Sequence, residues 1–385
     1  MRFENRYIPL KGAWSSPFAR WQGPAADLSS LDVAAQVTER ALRERGSGWE
    51  IDELVLGLTV PQRQSFYGAP TLAARLGLGA ITGPLIMQAC ATSVACVHAA
   101  AAGGDGVRLV VVTDRTSNGP HLVYPSAGAP GGTPASENWV LDSFGCDPNT
   151  GEGMLATAER VAAQGGFSKA EVDAVTARRW NQYEDALADD RAFQRRWMVP
   201  ITAGPKRKPV EIDADWGIRP APLEALEGLP AVEEGGVVSY GSQTHPADGC
   251  AGLIVTSHRP DGPAARLVAS GFARVARGEM PKAPVPATSI ALEHTGLELA
   301  DIDVIKTHNP FAVNDLWFAR ETGADVDAMN PFGSSLIYGH PQAPTGARGL
   351  VELIWALHDR GGGRGLFTGC AAGDTGAALV IELDG

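Results

Sequence analysis

The chain has few cysteines, and their number and spacing do not suggest a disulfide framework. Its 385 residues contain five cysteines, at positions 90, 96, 146, 250 and 370, with no Cys-x-x-Cys pair. An odd number of cysteines cannot all pair with one another. We therefore expect reduced thiols and a cytoplasmic protein.

Positive charge and long apolar runs are also scarce. Lys and Arg number 32 against 44 Asp and Glu, which gives a formal net charge of −12. Nucleic acids and anionic membranes both favour basic surfaces, so we expect neither as a partner. The opening residues MRFENRYIPLKG lack the apolar core of a signal peptide, and no run reaches the roughly 18 apolar residues of a membrane span.

The apolar segments that are present alternate between helical and strand patterns. Residues 31–46 place apolar side chains at helical spacing, and residues 51–60 form the apolar run of a buried strand. Residues 106–114 are apolar throughout, as expected for a strand covered on both faces, and residues 250–257 repeat that pattern. This alternation predicts an α/β core.

The middle of the chain differs in composition. From about residue 117 to 240 it is rich in Gly, Pro, Asn and Trp, with helices predicted at 152–164 and 168–188. Ser168 and Glu171 form a plausible capping box for the second helix. We interpret this stretch as an insertion that lies over the α/β core.

These patterns divide the chain into three parts. Residues 1–120 form an N-terminal half, residues 121–245 contain the insertion and the return to that half, and residues 246–385 form a C-terminal half. Each half carries helices, strands and a cysteine at a strand end. The sequence therefore suggests a weak internal duplication.

Cys90 lies where the predicted strand GPLIMQAC meets a helix of small residues at 91–102. Unpaired N–H groups and the helix dipole at such a helix start stabilise a thiolate, which makes Cys90 a candidate nucleophile. The alternative is a small core residue, the usual role of a free cysteine in an apolar segment. Cys96 lies about 9 Å further along the helix and is expected to pack in the core.

Three further segments place reactive side chains at predicted strand ends or turns. His308 and Asn309 follow the strand-like DIDVIK, His340 lies in the turn YGHPQAPTGARG, and Cys370 ends the strand in RGLFTGC. The two cysteines and two histidines are 30 or more residues apart, so their spacing gives a zinc site no support. A thiol nucleophile, an activating histidine and a second thiol that carries a proton form a coherent set for acyl transfer.

Taken in order, these segments resemble the thiolase family over nearly the whole chain. QACATS occupies the nucleophile segment, HNPFAV stands where many thiolases have NEAFA, GHPQAPTGAR is similar to GHPLGASGAR, and GCAAGDTGAALVIE is similar to CxGGGxGxAxxxE. Residues 151–187 resemble the helical lid, and residues 235–257 resemble the strand that usually carries GNSSGINDGAA. The order and spacing of these motifs make the resemblance specific.

The resemblance implies a five-layered αβαβα fold of two similar halves and assigns a role to each candidate. Cys90 would carry an acyl group as a thioester, and His340 would take its proton and later help to hold a thioester oxygen. Cys370 would shuttle a proton to or from the substrate's α-carbon or the CoA thiol. His308 would polarise the other thioester carbonyl, and the backbone N–H groups of Cys90 and Ala372 would form the second oxyanion hole.

The resemblance also implies CoA as a substrate, with no permanently bound cofactor and no metal. Arg219, Ser242 and Gln243 are the candidate CoA-binding residues. The basic triplet at 206–208 is a further candidate for the CoA phosphates, with solvated surface charge as the alternative. Trp216 is a candidate for stacking on adenine.

Departures from the family motifs point to an unusual acyl group. Ala372 and Asp374 replace expected glycines, which predicts a tighter and more polar pocket, and Pro344 stiffens the turn after His340. We expect a branched, aromatic or dicarboxylic 3-oxoacyl-CoA such as benzoylsuccinyl-CoA. The resemblance further implies a homodimer or a dimer of dimers, and some divergent thiolases work with a small OB-fold/zinc-ribbon subunit.

Three other functions fit parts of the pattern. Ketoacyl synthases share the fold but lack a cysteine at the site of Cys370. A thiolase-like aldol-type C–C lyase would act on a bulky acyl-CoA without a covalent intermediate. A non-catalytic CoA-ester-binding subunit would not need the four reactive side chains.

Overall fold

A computed structural model describes residues 1–46, 48–205 and 207–384. The α-helices are α1 Ser30–Arg45, α2 Gly68–Arg75, α3 Thr92–Ala102, α4 Trp139–Gly145, α5 Met154–Gly165, α6 Lys169–Arg195, α7 Leu223–Glu227, α8 Pro284–Glu293, α9 Ala312–Thr322, α10 Ser335–Tyr338 and α11 Pro344–Asp359. Short 3₁₀ helices occupy Leu10–Gly12, Ala89–Ala91, Pro130–Gly132, Met280–Lys282 and Leu299–Asp301. No helix in the described ranges has both the length and the apolar character needed to cross a membrane.

The strands form one large sheet and two small hairpin sheets. They are β1 Tyr7–Pro9, β2 Ala13–Ser15, β3 Ala19–Arg20, β4 Glu53–Gly57, β5 Leu85–Ile86, β6 Val107–Arg115, β7 His121–Tyr124, β8 Ala135–Asn138, β9 Ile201–Ala203, β10 Val210–Ile212, β11 Ala247–Thr256, β12 Ala264–Arg274, β13 Val304–His308, β14 Gly363–Ala371 and β15 Thr375–Leu383. The large sheet has the order β13-β14-β15-β12-β1-β11-β6-β4-β5, with β2 and β3 paired to β11.

The two halves of the large sheet are joined by β1. Tyr7 pairs with Thr256 of β11 on one side and with Arg266 of β12 on the other. β11 pairs with β6 from Asp248 to Thr256, so the sheet assigns residues 247–256 to the N-terminal half. The sequence division had placed this strand in the C-terminal half, because its apolar run restarts the α/β pattern there.

Central helices α3 and α11 pack between the two half-sheets, and other helices cover the outer faces. Val110 and Val112 of β6 face the central helices, whereas Leu109 and Val111 face α1. This alternation is the period of two expected for a strand covered on both faces. With α1 and α2 outside one half-sheet and α8 outside the other, the chain forms the predicted αβαβα layers.

The predicted helix packing of Cys96 is confirmed. Its side chain is fully buried in the core between the half-sheets. A Cβ built on Gly57 of β4 would lie 2.8 Å from the Cys96 sulfur, so glycine permits the close approach of strand and helix there.

Arginine side chains cap the carbonyl end of α3. Arg6 donates from Nε to the Ala101 carbonyl at 2.8 Å and from Nη2 to the Gly103 carbonyl at 2.7 Å. Arg108 donates to the Gly104 carbonyl at 2.7 Å. Positive charge at this end complements the helix dipole, whose opposite end lies next to Cys90.

The middle segment carries α4 to α7 and both hairpin sheets. The predicted capping box is present, since Glu171 N–H bonds to the Ser168 hydroxyl at 3.3 Å and the Glu171 carboxylate accepts from Ser168 N–H at 2.8 Å. Helical geometry in α6 breaks at Ala188, and three left-handed residues follow, Asp189 to Arg191. The predicted end of this helix at residue 188 coincides with that break.

Candidate active site

Cys90 lies in a tight turn between β5 and α3. The strand is shorter than predicted, because Gln88 N–H bonds to the Thr92 hydroxyl at 2.8 Å and that hydroxyl donates to the Ala89 carbonyl at 2.7 Å. These bonds turn the chain into the 3₁₀ helix that holds Cys90. Ala89 has a φ of 43°, a backbone conformation that residues other than glycine rarely adopt. The turn is therefore strained just before the nucleophile.

His340 contacts the Cys90 thiol directly. Its Nε2 lies 3.1 Å from Sγ, and its Nδ1 lies 2.6 Å from the Thr345 hydroxyl. The tautomer that donates from Nδ1 to Thr345 leaves the Nε2 lone pair facing the thiol. Burial lowers the pKa of His340 well below its ordinary value, so the ring is neutral at pH 7 and able to accept a proton.

The Cys90 sulfur lies against two backbone donors. Burial raises the pKa of Cys90 to about 12, while hydrogen bonds from the N–H groups of Ala372 and of Cys90 itself act in the opposite direction. The resting pair is therefore a neutral thiol and a neutral imidazole. The same two N–H groups are those that the family motifs suggest for the second oxyanion hole.

His308 stacks against His340 in the same buried site. The ring centroids are 4.1 Å apart with an interplanar angle of 31°. His308 Nδ1 lies 2.8 Å from the Ser335 hydroxyl, and its Nε2 has no hydrogen-bond partner among the described residues. Burial lowers the pKa of His308 to about 3, so this imidazole is neutral and its Nε2 is available to a substrate oxygen.

Cys370 is the penultimate residue of β14 and contacts Asn314, a residue that was not among the candidates from the sequence. Asn314 Nδ2 donates to Sγ at 3.2 Å, and Asn314 Oδ1 accepts from Phe311 N–H at 3.2 Å. Burial raises the pKa of Cys370 well above its ordinary value, and a charged Cys90 raises it further. The two thiols therefore lie within electrostatic range of each other.

Two buried carboxylates hold the loops of this site. Asp114 accepts from Thr59 N–H at 2.9 Å, Val60 N–H at 2.8 Å and Ala343 N–H at 2.8 Å, which ties the loop after β4 to the turn after His340. Burial raises the pKa of Asp114 to about 7, against the effect of these donors.

The second carboxylate is Asp315, which anchors the HNPF turn. It accepts from the Thr307 hydroxyl at 2.7 Å and from Asn309 Nδ2 at 2.6 Å, and pairs with buried Arg179 at 2.8 Å. Asn309, which stands where the NEAF motif has glutamate, therefore donates a hydrogen bond to the Asp315 carboxylate of the following helix, α9.

A cavity of about 1040 Å³ opens onto the nucleophile. Cys90, His340, Gln342 and Ala372 border it, whereas His308 and Cys370 are buried beside it. The remaining wall is mainly apolar and includes Met87, Trp139, Val140, Phe144, Met154, Leu155, Met280 and Phe311. The described lining residues also include three acidic side chains and no Lys or Arg, so the wall provides no fixed cation.

The candidate CoA-binding residues do not lie together. Gln243 lines the cavity. Ser242 is fully buried in a turn, where its hydroxyl accepts from Ser239 N–H at 2.9 Å, and it does not reach the cavity. Arg219 is exposed and outside the lining, close enough to Arg20 for its charge to lower the pKa of that residue.

Two further candidates for CoA lie near the surface or beyond the described structure. Trp216 is 47% exposed. Of the basic triplet 206–208, Lys206 lies outside the described residues. Arg20, which the sequence analysis did not single out, lies beside Arg219, and neither guanidinium forms an ion pair within the described ranges.

Asp374 does not make the pocket more polar, in contrast to the expectation from its motif. Its φ of 60° turns the side chain away from the cavity lining, and its carboxylate accepts from Gly278 N–H and Glu279 N–H, each at 3.1 Å. Pro344 is likewise the first residue of α11, where its fixed φ suits the helix start.

The fold brings three of the four side chains considered for zinc together. Ligand atoms of Cys90, His308 and His340 lie within 4.8 Å of one another, and Cys370 does not belong to this group. Within this group, His340 Nε2 and the Cys90 sulfur are already hydrogen-bonded to each other.

Several residues at the site had not been considered from the sequence. Gln342 and Thr345 stand in GHPQAPTGAR where the family motif GHPLGASGAR has Leu and Ser, so the sequence shows both differences. The contacts of Ser335, Asn314 and Asp114 follow from long-range folding, for which no local pattern exists.

Comparison with known proteins identifies the family of the chain. The family profile described as thiolase, N-terminal domain, matches residues 11–259, and the profile described as thiolase, C-terminal domain, matches residues 262–383. An Escherichia coli (strain K12) protein named 3-oxoadipyl-CoA/3-oxo-5,6-dehydrosuberyl-CoA thiolase is 30% identical, over 95% of this chain and 97% of its own length.

Solved structures agree with the same assignment. The Bacillus anthracis acetyl-CoA acetyltransferase superposes with a TM-score of 0.89 at 27% identity, covering 99% of both chains. The human mitochondrial 3-ketoacyl-CoA thiolase in complex with CoA superposes with a TM-score of 0.86 at 25% identity, covering 98% of both chains. These similarities confirm the predicted fold class.

Proposed function

Because the chain belongs to the thiolase family and is an acyltransferase with CoA as a substrate, we propose that Cys90 carries the acyl group during cleavage or formation of a 3-oxoacyl-CoA. The supporting observation is the 3.1 Å contact between Cys90 Sγ and His340 Nε2, beside the N–H groups of Cys90 and Ala372. A thiol activated by a neutral base and facing two fixed donors is suited to acyl transfer.

In the cleavage direction the first step acylates Cys90. His340 accepts the thiol proton, the sulfur attacks the 3-oxo carbon, and the N–H groups of Cys90 and Ala372 hold the oxyanion. The bond between C2 and C3 then breaks and leaves an enolate, whose oxygen the neighbouring imidazoles of His308 and His340 stabilise and whose α-carbon takes a proton from Cys370.

The second step releases the acyl group. Cys370, now a thiolate, removes the proton from an incoming CoA thiol. The CoA sulfur attacks the acyl carbon, and the same two N–H groups hold the oxyanion. The bond to Cys90 breaks, and His340 returns its proton to the departing sulfur, so that both cysteines and the base regain their starting forms.

The proposal is tested by substitution of the nucleophile and by trapping of the intermediate. We expect Cys90→Ala to abolish thiolysis of every 3-oxoacyl-CoA that the wild-type protein cleaves. Mass spectrometry of wild-type protein quenched after mixing should show an acyl adduct on Cys90. Thiolysis at the wild-type rate in Cys90→Ala would contradict the proposal, and turnover without an adduct would favour the aldol-type lyase.

The cavity wall supports a bulky acyl group with an uncharged end. Its volume of about 1040 Å³ and its aromatic and methionine side chains suit a branched or aromatic chain. Glu137, Asp142 and Asp147 line the same cavity and no lining residue within the described ranges is basic, so a terminal carboxylate would meet negative charge without a cation. Benzoylsuccinyl-CoA, which carries such a carboxylate, is therefore less favoured than a neutral aromatic ester.

Two matched substrates test this preference. We expect kcat/KM for a 3-oxoacyl-CoA ending in phenyl to exceed that for an ester of similar length ending in carboxylate by at least about tenfold, since burial of an unpaired charge is unfavourable. Asp142→Asn should raise kcat/KM for the carboxylate ester and leave the phenyl ester unchanged. Equal kcat/KM values for the two esters in wild-type protein would contradict the preference.

Gln243 and Arg219 are our candidates for the CoA moiety. Gln243 lies on the cavity wall, and the guanidinium groups of Arg219 and Arg20, near enough for one charge to act on the other, offer positive charge to a phosphate at the surface. We expect Arg219→Ala to raise the KM for CoA several-fold with little change in kcat, as measured by steady-state thiolysis.

We also propose that the protein acts in the cytoplasm as a homodimer or a dimer of dimers. Its five cysteines are free, which suits a reducing compartment. Sedimentation of the purified protein would establish the oligomer, and co-purification from the native cell would show whether a small OB-fold/zinc-ribbon subunit accompanies it.

A further inference from the structure

Gln342 places a neutral amide against the nucleophile and its base. Its Oε1 lies 3.3 Å from Cys90 Sγ, the same sulfur that contacts His340 Nε2 at 3.1 Å. The side chain also acts on His340, whose pKa it raises against the larger lowering by burial, and it borders the cavity although the residue is only 9% exposed. One amide therefore contacts the proton donor, Cys90, and acts electrostatically on the proton acceptor, His340.

The backbone fixes the direction of this side chain. Gln342 has a φ of 70°, a left-handed conformation that is unfavourable for glutamine. Ala343 N–H bonds to the buried Asp114 carboxylate at 2.8 Å, and Thr345 N–H bonds to the Gln342 carbonyl at 3.3 Å. Strained residues that persist at a site are held there by their surroundings, which is the pattern of a functional position.

Proton transfer to His340 creates a cation that has little other support. The His308 ring lies 4.1 Å from His340, and no carboxylate within the described residues hydrogen-bonds either ring. Two further buried titratable groups, Cys370 and Asp114, interact electrostatically with Cys90. A nearby acceptor that can bond to the newly protonated Nε2 therefore stabilises the charge-separated state.

We propose that Gln342 is a catalytic residue whose Oε1 accepts a hydrogen bond from the imidazolium formed when His340 deprotonates Cys90. The proposal rests on the proposed function and adds a residue to it. In this step the S–H bond of Cys90 breaks, its electron pair stays on sulfur, and an N–H bond forms at His340 Nε2. No further reactant is needed.

Alkylation of Cys90 by iodoacetamide tests the proposal without any acyl-CoA. The rate is followed between pH 6 and 10 by mass spectrometry of the Cys90 peptide, with exposed Cys146 as the internal standard for reagent activity. Gln342→Met keeps the length of the side chain and removes the amide. Gln342→Asn keeps an amide that is too short to reach, in a residue better suited to a positive φ.

We expect both variants to slow alkylation of Cys90 at pH 7 by about tenfold and to move its pH profile up by about one unit. Cys146 alkylation and the thermal unfolding midpoint should remain near their wild-type values. A purely structural role predicts instead that Gln342→Asn, which relieves the strain, retains the wild-type profile.

Two outcomes overturn the proposal. One is a Cys90 profile within twofold of wild type in Gln342→Met, and the other is a wild-type profile in Gln342→Asn. Failure of the proposed function would appear separately, as absence of an acyl adduct on wild-type Cys90, because alkylation requires no acyl transfer.

Discussion

Asn314 is the amide donor to the sulfur that we assign to proton transfer at the substrate's α-carbon. Its Nδ2 lies 3.2 Å from Cys370 Sγ, and the bond from Phe311 N–H to its Oδ1 fixes which side of the amide faces the thiol. Burial disfavours a thiolate at Cys370, and this donor favours it. The amide therefore supports the form of Cys370 that removes a proton from carbon or from CoA.

Substitution of Asn314 should slow this proton transfer selectively. Asn314→Asp keeps the acceptor for Phe311 N–H but puts negative charge beside the thiol, and Asn314→Ala removes both functions. We expect each to slow exchange of the acetyl-CoA methyl protons in D₂O by at least about tenfold, with Asn314→Asp slower, as measured by NMR. Alkylation of Cys90 serves as the control and should change less than twofold. Exchange at the wild-type rate in either variant would contradict the role.

The four reactive side chains were predictable because each lies in a short motif, but their helpers were not. Gln342 was visible as a change from GHPLGASGAR, yet its meaning depends on a positive φ and on a contact with a residue more than 200 positions away. Asp374 shows the converse. Its polarity suggested a role in the pocket, whereas its φ of 60° directs the carboxylate to another loop.

At the scale of elements, the strained turn before α3 determines where the nucleophile sits. Residues 83–90 have the apolar character of a strand, but only Leu85–Ile86 pairs with β4. The chain then bends through Ala89, with a φ of 43°, into the 3₁₀ helix. A pattern of apolar residues cannot locate such a bend, because the bend depends on the hydrogen bond from Gln88 N–H to the hydroxyl of Thr92, four residues later in the chain.

Glycine on either side of Cys90 should have opposite effects on stability. At Ala89 glycine removes the penalty of a left-handed conformation, so we expect Ala89→Gly to raise the free energy of unfolding by about 1 kcal/mol. Ala91 has a φ of −84°, where glycine only adds unfolded-state entropy and loses a buried methyl group, so Ala91→Gly should lower it by about 1 kcal/mol. Urea denaturation measures both. A loss of stability in Ala89→Gly would show that the turn is unstrained.

The two halves share the arrangement of their strands and helices, whereas the sequence suggested a duplication because each half has a cysteine at a strand end. β6 and β14 both have nine residues, each pairs antiparallel with the next strand of the large sheet along the chain, and Asp114 and Cys370 are each the eighth residue. Cys90 precedes the central helix α3, so its counterpart is the turn before α11, which carries His340. Corresponding positions of the two halves therefore carry different residues, and a cysteine count cannot reveal that correspondence.

At the scale of the whole molecule, a buried ionic network joins the insertion to the C-terminal half. Arg348 of α11 pairs with Asp215 at 2.6 Å and with Glu352 at 3.0 Å, and its guanidinium lies 3.7 Å from the centre of the Tyr338 ring. Asp215 precedes α7 in the insertion, and Lys306 of β13 pairs with Glu352 at 2.6 Å. Segments that are distant in sequence thus share charges that have no access to water.

Loss of Arg348 should destabilise the whole fold, because it leaves a buried carboxylate without its cation. Both Arg348 and Asp215 side chains are fully buried, whereas the pair of Arg259 and Asp384 is 63% and 61% exposed. We expect Arg348→Met to lower the free energy of unfolding by about 3–5 kcal/mol in urea, and Arg259→Met by less than about 1 kcal/mol. Adding Asp215→Asn to Arg348→Met should recover part of the loss, since it removes the unpaired charge. Equal losses in Arg348→Met and Arg259→Met would contradict a stabilising role of this network.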